Sequence, residues 1–193
     1  MKDYIPKKVV KNLYIYRYLF HPLVVTKIYI RNNLPQIALL SALSALLQSS
    51  GNYIPVIGLF MSAFSTFPVM IASLISKRGI IYTYIISTLL LLILQPSEFF
   101  TFPFTTGLLG VSFGLGLILL KKRAWIISVS SITLIFGIMI LLLLFKFPIL
   151  GPIQITSFFD YAILLGCSFI YCWIFFDLGN ILLRKIVNHL VTS

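Results

Sequence analysis

Glu98, Asp160 and Asp177 are three of only four acidic side chains among 193 residues, and all three lie in or beside long apolar runs. Proton-transfer or metal catalysis needs paired ionisable groups, or His, Cys, Asp and Glu at ligand spacing. The chain has neither. His21 and His189 stand alone, while Cys167 and Cys172 are five apart, which turns them to different faces of a helix and marks them as packing residues. No enzymatic activity, metal or cofactor is expected. Binding is chemistry that the polar residues can do. Asn52, Tyr53, Gln95, Glu98, Lys146, Gln154 and Asp160 recur at one set of run ends, with Gln48 close by, and those seven are the candidate substrate-binding residues. Glu98, Asp160 and Lys146 together suit a cationic or zwitterionic solute better than a multivalent anion.

The elements that must position them follow from composition. The chain is 60% hydrophobic and 10% charged, against roughly 25% charged in soluble domains. A membrane span needs about 20 predominantly apolar residues. Uncharged runs cover 32–76, 79–97, 99–120, 124–145, 147–159 and 161–176, without the strict alternation of barrel strands. The expectation is an all-α membrane protein, a six-transmembrane-helix bundle with spans at about 35–50, 56–76, 79–95, 103–120, 124–145 and 158–180. A five-span reading with 35–76 partly re-entrant is the alternative. Residues 1–33, rich in Lys, Arg and Tyr, form a basic-aromatic cytoplasmic or interfacial segment. They lack the compact apolar core and cleavage site of a signal peptide. The transmembrane domain covers 34–185, and 186–193 form a cytoplasmic tail.

Lys and Arg set the orientation. With the N-terminus in the cytoplasm, fourteen of the fifteen basic residues lie inside and only Lys146 lies outside, as the positive-inside rule requires. Both termini are then cytoplasmic, and the net charge of +11 reports topology and contact with anionic lipid, with no nucleic-acid partner. The inner loops at Lys77-Arg78-Gly79 and Lys121-Lys122-Arg123 are too short for a nucleotide-binding domain, so the chain cannot hydrolyse ATP alone. Asp177, near the inner end of the last span, is placed to pair with Arg184 or with a basic residue of an inner loop.

The first span carries small residues at helical spacing: Ala38, Ser41, Ala42 and Ala45. Lipid tails are as apolar as Leu, so helices associate in a bilayer by close packing, which small side chains permit. Gly107, Gly110 and Gly114 form a second stripe, read as packing within the bundle. The Ala-x-x-x-Ala first helix, the Gly/Pro break after it, the stretch "FSTFPVMIASLIS" with Pro68, the short basic inner loops and the glycine-rich fourth span resemble the substrate-binding S component of an energy-coupling factor transporter, or a related S-component-like membrane protein. The resemblance covers most of 34–185. It implies a multi-pass protein of a bacterial plasma membrane that takes a vitamin-like small molecule from outside. Ala38, Ala42 and Ala45 would dock on a transmembrane coupling subunit, driven by two ATPase subunits. The alternative is a membrane scaffold of envelope or cell-shape machinery that transports nothing.

Overall fold

The computed structural model describes residues 34–53, 56–120, 122–145 and 158–192, with side chains of the last helix described over 162–189. Its elements are helical. They are α1 (Leu34–Tyr53), α2 (Ile57–Ala63), α3 (Thr66–Ile71, continued by a 3-10 turn at Ala72–Leu74), α4 (Lys77–Leu94), α5 (Pro96–Phe104), α6 (Thr106–Leu119), α7 (Arg123–Leu143) and α8 (Phe158–Thr192).

Among the described residues five stretches are long and apolar enough to cross a membrane: Ile57–Leu74, Lys77–Leu94, Pro96–Leu119, Arg123–Leu143 and Ala162–His189. The first expected span, α1, has the length at 20 residues but is not among them. Ser41, Ser44, Gln48, Ser49 and Ser50 hold down its hydropathy. These residues explain its packing. Ser41, Ser44, Gln48 and Ser49 are buried, and α1 lies along α2, α3 and α4. Ser87 of α4 donates to the Ser41 carbonyl at 3.1 Å.

Two of the five stretches are broken, and proline accounts for both. Pro68 has no N–H to give the carbonyl of residue 64, so a continuous helix would lose a bond there. The chain instead restarts at Thr66, which places Pro68 in a first turn where the missing donor costs nothing. Pro103 sits one residue before the end of α5, and the break follows at Thr105. Pro96 opens α5 at a position that favours proline. Ser76 caps α4, accepting from the Gly79 N–H at 2.9 Å.

The short α3 is the centre of the molecule. Thr66 to Met70 and Ala72 to Leu74 are all buried. On one side Val69 and Ala72 meet Ala45, Ile80, Leu91 and Phe102. On the other, Met70 and Leu74 meet Leu109, Phe113, Leu117, Ile126 and Phe176. This requires α6 to approach closely. A Cβ on Gly110 would lie 2.7 Å from Val69 Cβ and 2.8 Å from the Thr66 carbonyl, so the glycine stripe packs inside the bundle. A Cβ on Gly137 of α7 would overlap the Phe104 carbonyl.

At the lysine-bearing end, Arg123 pairs with Asp177 of α8 and lies 5.8 Å from the Phe176 ring centroid. Arg123, of the Lys121-Lys122-Arg123 stretch, is thus the partner that Asp177 takes. A buried pair has to stay whole, because removing one member strands a charge at low dielectric. The last helix has 35 residues, about 52 Å at 1.5 Å per residue. It runs through residues expected to form a separate tail, and Ile186 and Val187 still pack on the core.

Candidate functional site

Gln48 is 3% exposed and stands five residues before the end of α1. Ser65, in the break between α2 and α3, donates its hydroxyl to Gln48 Oε1 at 2.7 Å. Thr106, at the start of α6, donates to the same oxygen at 2.7 Å. Gln48 Nε2 donates to Glu98 Oε2 on α5 at 2.7 Å. Two hydroxyl donors at one end and a carboxylate at the other leave one sensible orientation for the amide. Ser44, one turn earlier, donates to the Ser65 carbonyl at 2.9 Å. A single side chain therefore ties α1 to both helix breaks and to an acidic group.

Beside this cluster, Gln95 is 6% exposed. Its Nε2 donates to Ser97 Oγ at 3.3 Å, but its Oε1 is buried with no hydrogen-bond partner among the described residues, as is Thr66 Oγ1. Buried polar atoms without partners are uncommon in folded proteins.

Thr106 also faces a cavity of about 330 Å³ between α6, α7 and α8. Leu109, Leu134, Ile138 and Leu164 supply apolar walls, with Thr105, Thr106, Ser168 and Tyr171 completing the lining; the Thr105 and Thr106 hydroxyls donate to the Thr101 carbonyl and to Gln48. Cys167 lines it and is exposed, whereas Cys172 is buried. The Tyr171 ring stacks on Phe175 at 4.3 Å, and Phe175 meets Phe64 and Phe67 on either side of the α2–α3 break. Small-molecule sites are typically about 300–1,000 Å³, mainly apolar, with a few polar groups that fix orientation. This cavity has that make-up at the lower end of the range. Among the described residues no group of three or more His, Cys, Asp or Glu could hold a metal.

Of the residues expected to bind a solute, Glu98 and Gln95 belong to this region. Asn52 and Tyr53 are exposed at the end of α1, Tyr53 at 72%, outside the Gln48 network. Lys146 and Gln154 lie outside the described residues, as does the side chain of Asp160. The alanine stripe divides. Ala38 and Ala42 are exposed, with Leu39, Leu43 and Leu46. Ala45 has no exposure and packs with Val69, Ala72 and Ile80 in the core, so it is not part of a docking face. Ser65, Thr106, Ser168 and Tyr171 were not anticipated. Gln48 lies outside the seven expected residues; an amide inside an uncharged helix is its signal in the sequence. No protein-family model, curated protein or solved structure matches the chain.

Proposed function

We propose that this chain is a multi-pass membrane protein that captures a small molecule from outside the cell, as an S component of an energy-coupling factor importer does. In this reading α1 crosses with the other five stretches, both termini are cytoplasmic, and the membrane is a bacterial plasma membrane. The chain is no enzyme. A transmembrane coupling subunit meets the exposed face of α1 at Ala38 and Ala42, and two ATPase subunits supply the energy. The observation that carries the reading is the cavity of about 330 Å³ joined through Thr106 to Gln48 and Glu98. Its walls favour a largely apolar solute with one or two hydrogen-bonding groups. At Thr106 it adjoins the Gln48 amide and, one residue further, a carboxylate that can meet a donor or a cation.

The test is the content of the purified full-length protein. Mass spectrometry of the solution released on denaturation should identify one small molecule at close to one per chain. Leu134→Trp, which fills the cavity, should lose it, and so should maleimide modification of Cys167. A preparation that retains nothing, or a content unchanged by both treatments, rejects the cavity as a capture site.

A further inference from the structure

A second concavity lies between α6 and α7, away from the cavity above, with a volume of about 390 Å³. Its walls are Leu108, Val111, Leu115 and the Gly116 backbone of α6 and Val129 and Thr133 of α7. Leu119 and Val129 are 60% and 42% exposed, so the groove opens at the surface of the bundle. One end is formed by Leu119 and Leu120, next to Lys122, which is exposed. The chain there reads Lys121-Lys122-Arg123. Trp125, 60% exposed, lies one turn before Val129 on the same helix face, and tryptophan belongs at the level of lipid headgroups.

Depth and width limit the occupant. From Leu108 to Leu120 a helix rises about 18 Å, close to half of the roughly 30 Å hydrocarbon core. In the membrane-spanning reading proposed above, on which this inference rests, the groove begins at the interface and ends near the bilayer centre. A single acyl chain fits. Basic residues beside an inter-helical groove attract anionic headgroups.

We infer that an anionic phospholipid is a specific ligand of this groove, with one tail between α6 and α7 and its phosphate at Lys122. Trp125 reports on it. In full-length protein carrying Trp173→Phe, Trp125 is the remaining tryptophan. The protein is placed in phosphatidylcholine vesicles holding rising fractions of phosphatidylglycerol or phosphatidylcholine with brominated tails. Half-quenching of Trp125 should need at least fivefold less brominated phosphatidylglycerol. Lys122→Gln should lower that preference about fivefold, the equivalent of ~1 kcal/mol per basic residue at the surface. Val129→Phe fills the groove and should abolish the preference while leaving Lys122 in place; Val111→Phe serves if that variant does not reconstitute. Equal quenching by the two lipids overturns the inference. A preference that survives groove filling overturns it too, since it would then be headgroup attraction to ordinary surrounding lipid.

Discussion

Gln48 makes three hydrogen bonds to groups from three segments, and each of those groups would be left short of a partner by an apolar residue there. Hydrogen bonds between membrane helices average only about 0.6 kcal/mol, but a buried group left unsatisfied costs about 1–3 kcal/mol. The second effect dominates when one side of a network is deleted. Gln48→Leu is therefore expected to lower stability by about 1–3 kcal/mol, read from thermal unfolding in detergent. Gln48→Leu with Glu98→Leu should recover part of the loss, because it removes donor and acceptor together. A double variant that is worse by the sum of the singles would show that the two side chains act separately. Glu98 and Gln95 were legible in the sequence because an ion or an amide is conspicuous among apolar residues. Ser65 and Thr106 were not. Most hydroxyls in these helices bond to their own helix, as Ser41, Thr88, Ser131 and Thr133 do four residues back. No pattern in residue type marks the few that reach across.

An all-helical chain with long apolar stretches was readable from uncharged runs, since a bilayer imposes both length and composition, but the breaks near Ser65 and Thr105 and the helix Pro96–Phe104 were not. Orientation about each axis was not. Spacing placed Ala38, Ala42 and Ala45 on neighbouring positions, but it cannot tell which side of a helix meets protein when lipid is equally apolar. The glycines can be tested at this scale. Gly110→Ala puts a methyl against Val69 Cβ and the Thr66 carbonyl, neither of which is the end of a flexible side chain. It should cost about 1–3 kcal/mol, as overpacking does. Gly166 has nothing within 4 Å of the same added atom. Gly166→Ala should be neutral or stabilising by up to about 1 kcal/mol, from helix propensity. Melting of the two variants side by side makes the comparison, and equal losses would place the α3–α6 contact elsewhere.

For the molecule as a whole, the helices run up and down, with Glu98 at one end of the bundle and Lys77, Lys122 and the Arg123–Asp177 pair at the other. In a Cys167→Ser, Cys172→Ser background, Ser97→Cys should react with an impermeant maleimide on intact cells, and Lys77→Cys only after permeabilisation. The reverse pattern would invert the orientation and put the cavity's polar end toward the cytoplasm. The Gln48 network also has a consequence for how the protein is made. Ser65 follows Gln48 by 17 residues, but Glu98 and Thr106 follow by 50 and 58. At about 5–20 residues per second, the amide spends roughly 3–12 s without its later partners. In the proposed six-span reading α1, the least apolar of the long helices among the described residues, would over that interval have little reason to leave the insertion machinery for open lipid. If α1 crosses the membrane, as proposed above, its release into the bilayer would be timed by the arrival of α5 and α6, and the last act of inserting it would belong to the middle of the chain.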